Sequence, residues 1–353
     1  VVITDGVGSV QSATATLRVG VALVADALPS TTYKYTTSSV FPLNATYSGG
    51  LGTVNYAWYT RNVNNPTFTV AGSGVASGSG ASLNVNPASL GVGTFEYYAS
   101  FTDDVGTQST TTGTVIVGTP LQVQSSPASA YKYTTSPGFN LSASYTGGSG
   151  AVSFTWFARN INAPSPTAVS SGTAASTTLT LNVDPGALGV GTFEYYVQVL
   201  DTLSADSSGI ATIRVGTPLV ISVTTAGVVS DANGGYTLGA VAHGPLSQSV
   251  SVSGGLGSVV YQWEYESTPN TFTQLINAGT VSGVQTNTLT IDPLAVTDAG
   301  KYRVTATDLV DTTISAVTTL SVDPGVPLAG GLGLGAVAFA VAAAGAGVLR
   351  RKR

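Results

Sequence analysis

The chain has 353 residues, 12 Lys and Arg against 17 Asp and Glu, and a formal net charge of −5 with only 8% charged residues. So sparse a positive charge argues against nucleic acid as a partner, because a phosphate backbone needs a basic stripe. With no Cys and a single His, a disulfide framework and any repeated histidine or thiolate site are excluded too, while 43% hydrophobic residues argue against disorder.

Residues 1–20 open the chain with Asp5 and, 14 residues later, Val19; the same spacing recurs at Asp103–Val117, Asp201–Val215 and Asp308–Val322. Each pair brackets a turn and a closing strand of alternating apolar residues, such as Thr114-Val-Ile-Val117. Residues 1–20 are therefore expected to be the last hairpin of a truncated sandwich, and the chain part of a longer repeat protein. Residues 21–118 should form the first complete unit, with strands at Val40–Thr46, Val54–Tyr59 and Leu83–Val85, the last stopped at Asn86-Pro87. Gly-rich stretches such as Gly72–Gly80 read as loops. The linkers Gly118-Thr-Pro-Leu121 and Gly216-Thr-Pro-Leu219 introduce units at 119–217 and 218–323. Short Pro-containing linkers are stiff, so an in-line rod is expected.

The units repeat. Tyr33-Lys-Tyr-Thr-Thr37 returns as Tyr131-Lys-Tyr-Thr-Thr135, and Gly91-Val-Gly-Thr-Phe-Glu-Tyr-Tyr98 as Gly189-Val-Gly-Thr-Phe-Glu-Tyr-Tyr196, each 98 residues on. In every unit a strand Trp precedes, by 39 residues, a Tyr that follows a turn glycine: Trp58 and Tyr97, Trp156 and Tyr195, Trp263 and Tyr302. The Trp is expected to fill the space between two sheets, and the Tyr hydroxyl to tie a corner back to the backbone.

Residues 324–353 end the chain. Val326 to Leu349 carries no charge, and Arg350, Arg351, Lys352 and Arg353 follow at once. As a helix of about 1.5 Å rise per residue this window exceeds a ~30 Å hydrocarbon core. Positive residues stay inside, so a transmembrane helix with a cytoplasmic C-terminus and external repeats is expected. Gly331-x-x-x-Gly335 is a helix-packing spacing that the Gly- and Ala-rich composition also accounts for.

These residues resemble two families. Tyr261-Gln-Trp263, Leu289-Thr-Ile291 and Asp298-Ala-Gly-Lys-Tyr302 resemble bacterial immunoglobulin-like repeats of surface proteins. That resemblance implies an all-β chain of tandem immunoglobulin-like β-sandwiches on a prokaryotic exterior. The tail resembles sorting tails of the PEP-CTERM type, with Val326-Pro327-Leu328 or Gly330-Gly331 in place of the namesake motif; the resemblance implies cleavage and export.

Candidate chemistry is thin. His243 reads as a strand-end or loop residue. Asp103, Asp104, Asp201, Asp308 and Asp311 fall in equivalent turns, where capping competes with a calcium site; calcium needs more oxygens than one turn supplies. No other cofactor is expected. Lys34, Lys132, Glu96, Glu194, Asn84 and Asn182 occupy paired positions of the kind that form isopeptide cross-links, although Glu96 should point away from the Tyr97 face. Tyr33, Tyr35 and Tyr98, with Tyr131, Tyr133 and Tyr196, offer an aromatic strip for sugars or proteins, or else packing. Asn44 and Asn140 stand in glycosylation sequons. The leading reading is a non-enzymatic surface stalk or adhesin with a protein or polysaccharide ligand. The runners-up are a spacer or carbohydrate-binding region of a surface enzyme whose catalytic domain lies N-terminal, and an envelope-layer structural protein.

Overall fold

A computed structural model describes residues 1–325; the expected membrane helix, sorting motif and basic end, Val326 to Arg353, lie outside the described residues. Among the described residues no helix is long and apolar enough to cross a membrane. The contacts divide the chain into two compact units. One comprises Val1–Ala130, Gly138–Asp184 and Thr192–Ile213; the other comprises Tyr131–Pro137, Pro185–Gly191 and the chain from Arg214 on.

In the first unit, one sandwich pairs the strands Val21–Ala25, Phe41–Gly50 and Gly80–Val85 in one sheet. The facing sheet runs through Gly113–Ser125, Gly93–Thr102, Asn55–Asn62 and Thr69–Val75, with Thr31–Tyr35 added parallel to the closing strand. Alternation explains the layers: in Gly93–Thr102, Phe95, Tyr97, Ala99 and Phe101 are all buried, while their neighbours face out. Trp58, 0% exposed, sits between the sheets with Leu43, Ala45, Val115 and Val117. The second repeat's strands Phe139–Gly148, Thr178–Val183, Ser153–Asn160 and Thr167–Thr173 follow the same plan around Trp156. In the second unit, a four-stranded sheet including Leu246–Ser253 and Thr288–Ile291 accompanies a seven-stranded sheet including Val260–Thr268 and Gly300–Thr307; Trp263 is buried in its core. The described residues thus form an all-β tandem of immunoglobulin-like sandwiches without disulfides.

Three expectations change. Gly72 and Gly74 lie in the Thr69–Val75 strand rather than a loop, paired with Trp58 and Tyr56. A Cβ at Gly74 would meet the Tyr56 hydroxyl at 3.2 Å, so the missing side chain makes room for the ring. Gly118-Thr-Pro-Leu121 is not a separate linker but the middle of the 13-residue strand Gly113–Ser125. The ladder slips between Thr119 and Gln122, around the proline that has no N–H to give. The tyrosine corner is seen in the third repeat, where the Tyr302 hydroxyl donates to Asp298 O at 2.8 Å. At Tyr97 the residue four back is Gly93, already paired in the sheet with Val117.

Residues 1–20 form a hairpin, Val2–Thr4 with Ser9–Gln11, and then run without strand to Gly20. Asp5 Oδ1 accepts from Val7 N and Gly8 N, the capping seen at Asp103.

Truncating a wholly buried Trp removes its packing and leaves a cavity. Trp156→Ala is expected to destabilise the second repeat by about 3–5 kcal/mol. Calorimetry should show that repeat's transition lost while those of the Trp58 and Trp263 repeats largely persist; unchanged melting would refute the core assignment.

Candidate functional site

The site grows from one aspartate per repeat. Asp103, Asp201 and Asp308 each follow the strand that carries the core Tyr. One carboxylate oxygen caps the following turn. Asp103 Oδ1 accepts from Val105 N and Gly106 N at 2.8 Å each; Asp201 Oδ1 from Leu203 N and Ser204 N at 2.8 and 2.9 Å; Asp308 Oδ1 from Val310 N and Asp311 N at 2.7 and 3.1 Å. The other oxygen holds a second loop, 52 residues earlier: Leu51 N at 2.8 Å, Ser149 N at 2.6 Å and Leu256 N at 2.5 Å. Each of those amides follows a double glycine. Gly147 and Gly148 show why: both have positive φ, and a Cβ on Gly147 would fall 2.0 Å from Pro120 O.

Two of these cradles take one donor more. The Tyr35 hydroxyl donates to both oxygens of Asp201 at 2.9 Å and lies 2.7 Å from Ser204 Oγ. The Tyr133 hydroxyl donates to Asp308 Oδ1 at 2.8 Å, and the ring packs with Leu219 and Ala306. Tyr35 and Tyr133 come from the preceding repeat's strand beside its closing strand, so one carboxylate fixes its own turn, its neighbouring loop and the repeat before it. Tyr33 lies against Gly150, where a Cβ would come within 2.7 Å of its ring.

Electrostatics follow the donors. Burial pushes the Asp201 carboxyl up, but the amides of Ser204, Ser149 and Leu203 and the Tyr35 hydroxyl outweigh it and hold it below the ordinary carboxylate value. Asp308 is lowered in the same way, against its own burial, by Val310, Leu256, Asp311 and Tyr133. Burial, then Asp308 itself, pushes the Tyr133 phenol up to about 12. Both hydroxyls therefore remain protonated donors at neutral pH.

The other candidates separate. Asp104 pairs with Arg18 at 3.3 Å, and Asp311 Oδ1 accepts from Thr312 N. Among the described residues no group of three His, Cys, Asp or Glu comes together. Of the isopeptide positions, Lys34, Glu96, Glu194 and Asn182 are engaged elsewhere. Glu96 pairs with Arg61 at 2.6 Å, Glu194 with Arg159 at 2.5 Å, Lys34 lies 4.7 Å above the Phe41 ring, and Asn182 donates to Asn140. The third repeat keeps the cross-strand pair with its charges exchanged, Lys301 to Glu266 at 3.0 Å, and adds a second pair, Arg303 to Glu264 at 2.6 Å. Such half-exposed pairs are worth about 0–1 kcal/mol each. His243 is a turn residue at φ +72°. The expected single tyrosine strip is divided: Tyr35 and Tyr133 enter carboxylate cradles, while Tyr98 stacks on Tyr59 at 4.8 Å and Tyr196 on Phe157 at 5.0 Å. The Tyr–Asp pairing escaped the sequence reading. Its signal was the recurrence of Tyr35 at Tyr133 together with a double glycine at a fixed distance before each aspartate.

No protein-family model matches the chain, and no curated protein matches it. Among solved structures it is similar to an I-band fragment from titin, at 12% identity and TM-score 0.49 over 84% of this chain and 96% of that one. It is also similar to extracellular domains 3–5 of Drosophila OTK, at 14% identity and TM-score 0.43 over 84% and 96%. Immunoglobulin domains 1–4 of Sidekick-1 give 12% identity and TM-score 0.41 over 91% and 81%.

A carboxyl whose folded value is lowered stabilises the fold fully above the ordinary carboxylate range and loses that contribution as pH falls through the folded value. Tyr35→Phe removes one donor from Asp201 and should cost about 1–3 kcal/mol. Carbon-detected NMR titration should show the Asp201 carboxyl rising toward its ordinary value in the variant, with acid unfolding beginning at higher pH. An unchanged titration would mean the hydroxyl does not engage the carboxylate.

Proposed function

We propose that the chain is a non-enzymatic stalk or adhesin of the cell surface, in which stacked sandwiches hold a binding face away from the envelope. The observation that carries this reading is the twice-used Tyr–Asp cradle. A hydrogen-bonded joint written into the repeat itself gives every added repeat the same attachment, as a spacer of defined length requires. The rod expected from 21–118, 119–217 and 218–323 belongs to this proposal. Small-angle scattering of residues 21–322 should return a radius of gyration well above the ~19 Å of a compact chain of this length; a value near that figure would sink the rod.

The tail completes the proposal. An uncharged window followed by Arg350-Arg-Lys-Arg353 suits membrane insertion during export, with the repeats outside. Its many glycines weaken a helix by up to ~1 kcal/mol each relative to Ala, which favours a temporary anchor of the sorting type, cut near Val326–Gly331. Mass spectrometry of the mature surface protein should find no peptide from Leu332 onward, and recovery of Val348-Leu-Arg350 would show a permanent anchor instead. The ligand of such an adhesin would be a polysaccharide. Tyr59 and Tyr98 stack at 4.8 Å with Phe68 at the edge and Arg61 above it, an aromatic face suited to sugar C–H groups.

A further inference from the structure

The third repeat carries a piece that the other two lack. Val229–Ser230 pairs with Tyr236–Val241 as a hairpin, whereas the residues just ahead of the equivalent strands at Thr31 and Ala130 form no strand. Asp231 caps the turn of that hairpin, its Oδ1 accepting from Asn233 N and Gly235 N at 2.8 Å each. Its Oδ2 meets no donor among the described residues. A Cβ on Gly235 would fall 2.6 Å from Oδ2, so the glycine keeps that oxygen clear.

The hairpin turn walls one side of an open cleft of about 390 Å³, a size within the ~300–1,000 Å³ of small-molecule sites. The floor is a single row across the outer face of the seven-stranded sheet. Thr319 stands opposite Lys301, Lys301 Nζ lies 3.0 Å from Glu266 Oε2, and Glu266 stands opposite Phe272. The first repeat has the same row in Thr114, Glu96, Arg61 and Phe68, with the charges exchanged and no hairpin beside it.

The groups of this row differ in what they offer. Asp231 Oδ2 can only accept, and the Thr319 hydroxyl can do either. The Lys301 side chain is 44% exposed, and its ammonium has three protons for the two oxygens of Glu266, so one donor is left over. Phe272 adds a flat apolar surface. Arg303 steadies the ring from one side at 4.1 Å and is itself held by Glu264. Acceptor, donor and ring face along one strip match a pyranose, which carries hydroxyls on its rim and C–H groups on its faces.

We propose that this cleft is a saccharide site, taking a neutral pyranose chain with a C–H face on Phe272 and neighbouring hydroxyls on Asp231 Oδ2 and Lys301. Glu266 acts through Lys301, holding the ammonium in place. Two carboxylates against one ammonium leave the cleft negative, so an acidic glycan is turned away. The proposal deepens the adhesin reading and rests on it for the ligand class. The two fail separately, because the measurement below resolves this cleft and the Tyr59–Tyr98 face residue by residue.

The test titrates the isotope-labelled full chain with two neutral glucose hexamers, cellohexaose and maltohexaose, and with C6-oxidised, polyanionic cellohexaose, followed by amide NMR. A neutral hexamer should shift the Gly234, Gly235 and Asn270 amides, and the polyanion should leave them in place. Asp231→Asn keeps an oxygen for the turn and turns the free acceptor into a donor. It should weaken the neutral sugar about ten-fold and narrow the gap to the polyanion. If that variant moves the Asn233 and Gly235 amides before any sugar is added, Thr319→Val, isosteric in its strand, takes its place with a loss in the same direction. No cleft shift with either neutral hexamer overturns the proposal, whatever happens at Tyr59 and Tyr98. So does equal binding of the polyanion, or full affinity in both variants. Cleft shifts produced by an uncharged Gly-Ser-Thr peptide and by neither sugar would overturn it in favour of a protein ligand.

Discussion

A carboxylate that has to satisfy several donors at once organises this chain. Asp201 is 6% exposed, and removing a charge from water is costly unless hydrogen bonds replace the solvent. Three amides and a phenol do so here. Those donors belong to three separate stretches of sequence: its own turn, the loop after the double glycine, and the preceding repeat's strand. The burial that would penalise the charge is thus what forces the three stretches together, and the low dielectric strengthens each bond once made.

The sandwich cores and the joints divide the labour. Trp58, Trp156 and Trp263 replace a disulfide as the centre of each repeat, with apolar alternation on the surrounding strands. Stability within a repeat is therefore non-directional and area-driven. The joints are directional and small, built from a few charge-assisted bonds and glycines that allow close backbone approach. Such an arrangement lets repeats diverge in sequence, as the third has done, provided the aspartate, the double glycine and a donor keep their places. The cross-strand ion pair shows the same tolerance, since Arg61 and Glu96 of the first repeat give way to Glu266 and Lys301 in the third, with the charges exchanged between strands.

The tyrosines show where local reading fails. Tyr33-Lys-Tyr35 and Tyr98 look alike in sequence, as exposed aromatics on strand surfaces. Tyr98 ends stacked on Tyr59, whereas Tyr35 leaves its own repeat for a carboxylate 166 residues away. Neither propensity nor period distinguishes the two. The corner tyrosines part in the same manner: Tyr302 reaches a carbonyl four residues back, while the corresponding backbone before Tyr97 is committed to the sheet.

By itself the sequence determined the fold class, the repeat, the buried Trp and Tyr positions and the turn role of the aspartates. Those depend on period-two alternation, on fixed spacing and on side chains that bond their own backbone, all of which are local. Only the tertiary structure decided that Gly118 to Leu121 runs on as strand, that Gly72 and Gly74 are sheet, and that one carboxylate serves three segments. Those outcomes turn on which backbone groups find partners across long separations, and on how closely two chains can approach where a side chain is missing.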